Sequence, residues 1–373
     1  MTLRPSVRWL ATACLVGLGL AQAQAQIVVG QTAGFSGPVA AGVKETTDGA
    51  KLYIDAVNAR GGVNGQAIKL VSLDDKFEPK LAAENARKLI TENKVVALFL
   101  NRGTPHTEAI APLLAEFKVP LVAPSTGAMV LHNPVNPYIF NVRATYQRET
   151  ERAVRHLGST GLTRIAIVQV DDSFGADAAT GAANAFAALN MKPVLHEKFN
   201  RSKPDFSAIG PNVARSEAQA VLFIASGQAV ADGAKAVRAA GSKAQIVTLS
   251  NNAAAGFIKL MGEYAHGTIV SQVFPYERSM AAPLVKEAAD LARAKGLEGV
   301  SPAMMEGFAG AKVLVEGLRR AGPGPTRASL LNALNNLRRY DLGGMELSYS
   351  PTDHTGLEFA DLSIIGIDGK FRR

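Results

Sequence analysis

Two short polar segments of the sequence have the residue types that bind a small anion. The first is Gly103-Thr104-Pro105-His106, where a glycine and a threonine hydroxyl follow an apolar run that predicts a strand. Free backbone N–H groups at the start of the next helix can hold a carboxylate, and Arg102 and His106 can add positive charge. The same residues also fit a simple threonine cap with proline at the next helical position, which needs no ligand.

The second segment is Ser125-Thr126-Gly127, which follows the next predicted strand along the chain. It offers the same hydroxyl and backbone donors, although an ordinary Ser/Thr helix cap has the same composition. Neighbouring strands of a parallel sheet end at one edge, so we expect the two segments to lie side by side. Together they predict a carboxylate site.

An aromatic residue in the second half of the chain is a candidate to face this site. Phe174 follows a predicted strand and can form an aromatic wall, or can simply be buried at the start of its helix. Phe35 and Phe77 are weaker candidates. Arg143 lies between the two halves of the chain, where we expect an ion-pair partner at a hinge rather than a ligand contact.

The sequence lacks the motifs of the other common kinds of site. No G-x-G-x-x-G follows a predicted strand, the segment GPVAAGVK at 37–44 lacks the hydroxyl of a phosphate loop, and no H-E-x-x-H or G-x-S-x-G occurs. The six histidines are far apart, and the single cysteine, Cys14, rules out a disulfide framework. The sequence therefore predicts no enzyme, no metal site and no cofactor.

The elements that must position these residues alternate regularly. From residue 27, short apolar runs that predict strands alternate with amphipathic helices, and the series restarts near residue 164. Such alternation predicts parallel sheets with helices on both faces, and two series predict two doubly wound α/β lobes. Ligands of open α/β sheets lie beyond the carboxyl ends of the strands, so two lobes can enclose a cleft there.

The first 25 residues are typical of a secretory signal peptide. Arg4 and Arg8 precede an apolar stretch from Trp9 to Leu20, and the small residues up to Ala25 fit cleavage by signal peptidase. The apolar stretch is short for a transmembrane helix, and an uncleaved anchor is the alternative. Cleavage predicts export to the periplasm.

The basic charge of the chain does not predict nucleic-acid binding. The full sequence has a formal net charge of +8, and removal of residues 1–25 leaves 38 basic against 32 acidic residues, a net charge of +6. The remaining basic residues are dispersed, and no basic stripe with interleaved aromatic residues occurs.

A set of ordered segments carries a resemblance to a known family. The segments are VGQTAGFSGP at 29–38, Gly49-Ala50, NARGGVNG at 58–65, Asp74-Asp75 with Pro79, Pro124-Ser125-Thr126, Asn141-Val142-Arg143 and RIAIV at 164–168. Together they resemble the periplasmic leucine/isoleucine/valine-binding protein family, the type I solute-binding proteins of ABC importers. The resemblance covers about residues 27–367. It implies the type I periplasmic binding protein fold, with three hinge crossovers between the lobes.

The resemblance also implies a division of the chain and a set of ligand contacts. Lobe 1 would comprise 27–142 plus 273–345, and lobe 2 would comprise 143–272 plus 346–373. In the family, Ser/Thr and backbone groups hold the ligand carboxylate, an aromatic residue lines the site, and further contacts follow strands. The matching residues here are Gly103, Thr104, Ser125, Thr126, Gly127, Phe174, Ser226 and Ser250.

Two departures from the family pattern leave the class of ligand open. Amino-acid binders usually present an acid for the α-ammonium near position 250 and a tyrosine near 226, whereas this chain has SNN at 250–252 and Ser226. A buried ammonium without a counter-charge is costly, so a carboxylate without an amine is an alternative to a branched-chain amino acid. Asp171, Asp172 or Glu306 can still supply the acid from elsewhere.

The sequence thus predicts a monomeric periplasmic binding protein that closes around a small carboxylate-bearing solute, an amino acid or organic acid, by a hinge motion. The resemblance alone implies an ABC permease complex at the membrane as its partner. The alternative is a ligand-capture subunit of a sensor or regulatory system with the same fold. A secreted hydrolase is a third interpretation, which would require turnover of the ligand.

Overall fold

The computed structural model describes residues 26–373, and the predicted signal peptide at 1–25 lies outside that range. The strands are β1 (Ile27–Ala33), β2 (Ile68–Asp74), β3 (Ala97–Phe99), β4 (Leu121–Val122), β5 (Ile139–Phe140), β6 (Ile165–Val170), β7 (Leu195–Phe199), β8 (Ala220–Ile224), β9 (Gln245–Thr248), β10 (Ile269–Gln272), β11 (Tyr340–Asp341), β12 (Glu346–Leu347), β13 (Asp361–Ile365) and β14 (Phe371–Arg372).

The helices separate the strands, as the alternating pattern predicts. They are α1 (Ala40–Ala59), α2 (Pro79–Thr91), α3 (Thr104–Phe117), α4 (Tyr146–Ser159), α5 (Ser173–Ala188), α6 (Ile209–Arg215), α7 (Gln228–Ala239), α8 (Ala255–Met261), α9 (Pro283–Ala294), α10 (Pro302–Arg320) and α11 (Arg327–Asn335). A 3-10 turn, Ser250–Asn252, follows β9. None of the helices in residues 26–373 combines the length and apolar character that a bilayer crossing requires.

The first sheet has five parallel strands in the order β2-β1-β3-β4-β5. Strands β3, β4 and β5 are buried throughout, because helices cover both faces of such a sheet and its strands are continuous apolar runs. Since β3 and β4 are neighbours, the residues that follow them share one edge of the sheet.

The second sheet has seven strands in the order β14-β13-β10-β9-β8-β6-β7. Strands β6 to β10 are parallel, and β13 and β14 add an antiparallel edge. Every residue of β6 and β8 is buried. The two sheets confirm the predicted architecture of two doubly wound α/β lobes.

The chain passes between the lobes three times. It leaves the first sheet after β5, leaves the second after β10, and enters the second again at β13. Between the last two crossings, α9, α10 and α11 pack on the first sheet, where Leu284, Phe308 and Leu330 are buried in one core. A second core forms around β6 and β8. This connectivity is the three-crossover hinge that the resemblance implies.

The boundaries of the lobes stay a prediction, and the tail of the chain argues for one change to them. The predicted second lobe includes 346–373, but Leu347, Tyr349 and Leu357 are buried in the core of the first sheet. The Tyr349 hydroxyl donates to the carbonyl of Asn141 at 2.5 Å. We therefore propose that the first lobe extends to about residue 357.

Helices α1 and α10 approach each other so closely that their contact requires glycine. A Cβ atom on Gly307 would lie 1.7 Å from the carbonyl oxygen of Thr46, and one on Gly49 would lie 2.0 Å from the α10 backbone. One turn further along α10, a Cβ on Gly310 would lie 2.8 Å from that of Ala123, directly after β4. The glycines therefore fix α10 against the edge of the first sheet.

We expect Gly307→Ala to lower the free energy of unfolding by at least about 2 kcal/mol, because the backbones must separate to admit the methyl group. Alanine is ordinarily the better helix former by about 1 kcal/mol, so the effect has the opposite sign to helix propensity. Urea unfolding followed by circular dichroism measures it. Gly299→Ala is the control, since a Cβ there meets nothing within 4 Å. Equal unfolding midpoints for the two variants would contradict the packing argument.

Candidate functional site

The carboxyl ends of β3 and β4 carry the two segments predicted to bind a carboxylate, and the structure brings them together. Arg102 and Ser125 pair as an extension of the parallel ladder, and the Ser125 N–H donates to the carbonyl of Asn101 at 2.7 Å. The hydroxyl oxygens of Thr104 and Thr126 are 2.7 Å apart, so one donates to the other. The order of the strands thus produces the expected adjacency.

Gly103, and not Thr104, is the N-cap of α3. Gly103 has a φ of 101°, and a Cβ there would lie 2.5 Å from Nδ1 of His106. Thr104 is the first helical residue, and no side chain caps this helix start. The simple threonine-cap alternative is therefore wrong for α3, and the Thr104 hydroxyl instead meets Thr126.

His106 does not supply the positive charge expected of it. Its ring is buried and stacks on Phe77, with the ring centroids 4.4 Å apart. Burial lowers the pKa of His106 to about 4, so the imidazole is neutral at neutral pH. His106 and Phe77 form an aromatic wall instead.

Arg102 is the buried cation at this edge of the sheet. Its guanidinium is buried beside Gly42 of α1, and Nη2 donates to the backbone carbonyl of Asn251 at 2.6 Å. Because Asn251 belongs to the second lobe, the side chain of Arg102 reaches across the cleft. Burial lowers the pKa of Arg102, but arginine stays protonated in proteins. The sequence signal for Arg102 is its position at the carboxyl end of β3.

The residues predicted in the second lobe have different surroundings, and only Ser226 lines the cavity between the lobes. Phe174 is buried in the second core and contacts Tyr146 edge-on at 4.7 Å between centroids, as its burial alternative predicts. The Ser226 hydroxyl accepts a hydrogen bond from Nδ2 of Asn251 at 2.8 Å. The Ser250 hydroxyl accepts a hydrogen bond from Arg143 at the hinge. The roles of these residues toward a ligand stay predictions.

Gly127 lies where the first crossover passes. A Cβ on Gly127 would lie 2.6 Å from the carbonyl oxygen of Ala144, and the Gly127 carbonyl accepts from the N–H of Tyr146 at 2.8 Å. The absence of a side chain at Gly127 therefore lets the crossover approach the end of β4. This contact explains the glycine without a ligand.

A buried ion pair lies where the first crossover meets the ends of β9 and β10, and Arg143 is the ion-pair partner that the sequence predicts. The Nη2 of Arg143 bonds to the Glu149 carboxylate and donates to the hydroxyl of Ser250 at 2.8 Å. Glu149 also accepts from the Ser250 N–H at 2.9 Å and from the Ser271 hydroxyl. Burial alone lowers the pKa of Arg143, but the Glu149 carboxylate outweighs it and raises that pKa above its ordinary value.

A cavity of about 290 Å³ opens between the lobes, with residues of both lobes in its lining. Its lining residues are Pro38, Phe77, Val170, Phe199, Arg201, Ser202, Pro204, Ser226, Gln228, Ala229 and Asp232. Arg201 forms an ion pair with Asp172 at 2.5 Å and lies over the Phe77 ring at 5.0 Å. A wall that is mostly apolar, with a few polar groups, is typical of a small-molecule site.

The rims of the two lobes are in contact, so the structure is in a closed arrangement. The Glu45 carboxylate of α1 accepts from the N–H groups of Ala255 and Gly256 at 3.0 and 2.7 Å, at the start of α8. Ser173 at the start of α5 donates to the Glu108 carboxylate of α3 at 2.5 Å. These contacts exist only while the lobes are together.

We expect Glu149→Gln to lower the free energy of unfolding by about 3–5 kcal/mol, because it leaves the Arg143 guanidinium buried without its counter-charge. Urea unfolding measures the loss. The control is Glu116→Gln, which breaks an ion pair to Arg87 whose side chains are about half exposed, so that water screens the charges and the loss should be small. A loss no larger than in the control would show that the hinge does not depend on this pair.

Burial of neutral His106 makes stability depend on pH. Its pKa is about 4 when folded against an ordinary 6.5, so the unfolded state binds more protons between these values. The free energy of unfolding therefore falls as the pH drops through that window, by about 1–2 kcal/mol for His106 between about pH 7 and pH 5. We expect the free energy of unfolding of His106→Phe to lack this part of the pH dependence. Urea unfolding at about pH 7 and about pH 5 measures it. The exposed His266→Phe should leave it intact, and equal slopes in the two variants would contradict the assignment.

Known proteins resemble this chain over most of its length. The model of a periplasmic binding protein family matches residues 26–361. Leu/Ile/Val-binding protein homolog 3 of Brucella melitensis is 25% identical over 351 residues, 92% of each chain. An amino acid binding protein of Pseudomonas aeruginosa is 26% identical over 221 residues, and this chain spans 59% of that protein's length.

A solved structure agrees with the fold. The substrate-binding periplasmic protein from Ralstonia solanacearum is 31% identical, with a TM-score of 0.83 over 93% of this chain and 99% of that chain. These matches confirm the resemblance to the leucine/isoleucine/valine-binding proteins that the sequence segments indicate. Two lobes, three crossovers and a cleft at the carboxyl ends of the strands agree with it, and the chain belongs to the periplasmic binding protein family.

Proposed function

We propose that this protein is the substrate-binding component of an ABC importer and closes in the periplasm around a small carboxylate-bearing solute. The observation that carries the proposal is the edge of the first sheet, where Arg102 is buried after β3 and the buried Thr104 and Thr126 hydroxyls meet. A cation with adjacent hydroxyl donors binds a carboxylate through charge-assisted hydrogen bonds, which are stronger than neutral ones. The role proposed is capture and release, without turnover.

The cavity supports an apolar body for the ligand, and its wall reaches the first carboxylate segment through Phe77, which stacks on His106. Phe77, Val170 and Phe199 contribute apolar walls to a space of about 290 Å³. This volume is close to the lower end of the range for small-molecule pockets, about 300–1,000 Å³. An amino acid or organic acid with a branched aliphatic or an aromatic substituent fits this combination of a polar end and an apolar wall.

The relatives support the transport role. The Brucella melitensis protein is named for leucine, isoleucine and valine, which argues for a branched-chain amino acid or a related organic acid here. Ligand contacts from both lobes stabilise the closed state, and a membrane permease complex would receive the ligand from it. We propose that the protein acts as a monomer in this cycle and that residues 1–25 direct its export.

A thermal-shift screen tests the proposed function. The panel contains leucine, isoleucine, valine and phenylalanine together with the acids that lack their amino group. A ligand that binds only the folded state raises its stability, by about 2.7 kcal/mol at a hundred times Kd. We expect at least one carboxylate of the panel to raise the melting temperature. No response to any of them would contradict the proposal.

We expect the double variant Thr104→Ala with Ser125→Ala to weaken binding of the responding carboxylate by at least several-fold. Hydrogen bonds to a charged group contribute about 1.5–3 kcal/mol each, so loss of both hydroxyls is measurable by isothermal titration calorimetry. Thr180→Ala on the exposed face of α5 is the control, because its hydroxyl bonds only to the carbonyl of Ala176. Unchanged affinity in the double variant would overturn the site assignment.

A further inference from the structure

The turn after β2 places Phe77 in the wall of the cavity between the lobes. The Phe77 ring lines this cavity and stacks on His106 of its own lobe, with the centroids 4.4 Å apart. From the second lobe, the guanidinium of Arg201 lies over the same ring at 5.0 Å, and Asp172 holds that guanidinium in an ion pair. The position of one ring therefore determines both the shape of the cavity wall and a contact between the lobes.

The backbone of this turn has an unusual conformation. Lys76 and Phe77 have φ angles of 52° and 62°, in the left-handed region that residues with a Cβ atom rarely adopt. Among residues 26–373, they are the only two consecutive non-glycine residues with positive φ. Such strain persists where the surrounding structure enforces it, and it is concentrated at functional sites.

Two consecutive carboxylates hold the turn in this conformation. The Asp75 carboxylate accepts from the Phe77 N–H at 2.9 Å and from the Thr32 hydroxyl of β1 at 3.1 Å. The Asp74 carboxylate accepts from the N–H of the residue between Asp75 and Phe77 at 2.9 Å, and from the Ser36 hydroxyl at 2.6 Å. These bonds attach the turn to β1 and to the segment that follows β1.

Asp75 is the more unusual of the two carboxylates, because its side chain is completely buried. Burial raises the pKa of Asp75 to about 6, and the charges of Asp74 and Glu78 act in the same direction. At neutral pH the Asp75 charge is thus held in surroundings that disfavour it. A buried charge and a left-handed turn both oppose folding, so their coincidence beside the cavity indicates that the turn serves the site.

We propose that Asp75 is a positioning residue of the ligand cleft, which fixes the left-handed turn and thereby holds the Phe77 ring in the cavity wall and under Arg201. This inference rests on the proposed function and adds to it a residue that does not touch the ligand. Asp75 is not part of the cavity lining, so its effect on a ligand has to pass through Phe77. Without the Asp75 carboxylate, the turn would relax and the ring would leave the wall.

A double-mutant cycle measured by isothermal titration calorimetry tests the inference. The probe is whichever of leucine, phenylalanine, 4-methylpentanoate and 3-phenylpropanoate binds the wild type most tightly. We expect Phe77→Ala and Asp75→Ala each to lower its affinity at least about fivefold, and Asp75→Ala to have no further effect in the Phe77→Ala background. Losses that multiply in the double variant would overturn the inference and leave the proposed function standing.

Two further variants separate positioning from a general loss of structure. Asp75→Asn keeps an oxygen that can accept from the Phe77 N–H, so it should bind the probe about as tightly as the wild type does. Asp341→Ala is the matched control, because Asp341 accepts from the N–H two residues later, that of Gly343, at 2.9 Å, in a turn outside the cavity lining. A control that loses as much affinity as Asp75→Ala would also overturn the inference.

A fluorescence measurement tests the position of the ring without a ligand. The one tryptophan of the sequence is Trp9, within the predicted signal peptide, so Phe77→Trp gives the exported chain a single tryptophan at this turn. In this background we expect Asp75→Ala to shift the emission to longer wavelength and to increase quenching by acrylamide, and Asp75→Asn to change neither. Unchanged emission in Asp75→Ala would overturn the inference. A shifted emission in a protein that binds none of the four probes would count against the proposed function and leave the role of Asp75 in the turn standing.

Discussion

The buried ion pair between Arg143 and Glu149 is the contact that anchors the first crossover to the second lobe. It ties the first crossover to α4, and through Ser250 and Ser271 it also holds the ends of β9 and β10. Taking one partner away from such a buried pair costs about 3–5 kcal/mol, so opening of the cleft must leave it intact. Opening of the cleft would therefore leave this cluster with the second lobe and would break the contacts of the rim.

The architecture was predictable because it depends on local patterns. Buried parallel strands are continuous apolar runs, and β6 and β8 show this in every residue. The restart of the series near β6 identifies the second lobe. The assignment of the tail was less predictable, because Leu347 and Tyr349 return to the first core through a contact between residues distant in sequence.

The site was predictable only in the part that a single lobe builds. The approach of Thr104 to Thr126 follows from the order of neighbouring strands, and the sequence indicates it. The neutral state of His106 depends on its burial against Phe77, and the path of the Arg102 side chain depends on a carbonyl of the other lobe. The neutral state of His106 and the path of Arg102 both depend on the folded surroundings. They could not be predicted from the residues that follow a single strand.

The bond from Glu45 to the start of α8 gives the closed state a stability that owes nothing to the ligand. Each 1.4 kcal/mol from such a rim contact changes the ratio of closed to open molecules tenfold. A larger unliganded closed population would lower the reorganisation cost of binding, since apparent affinity scales with the fraction of competent molecules. It would also reduce the difference between the loaded and the empty protein that the proposed membrane partner would have to detect. Glu45 at the rim would therefore raise the affinity for a ligand and, at the same time, make the loaded and empty proteins more alike in shape.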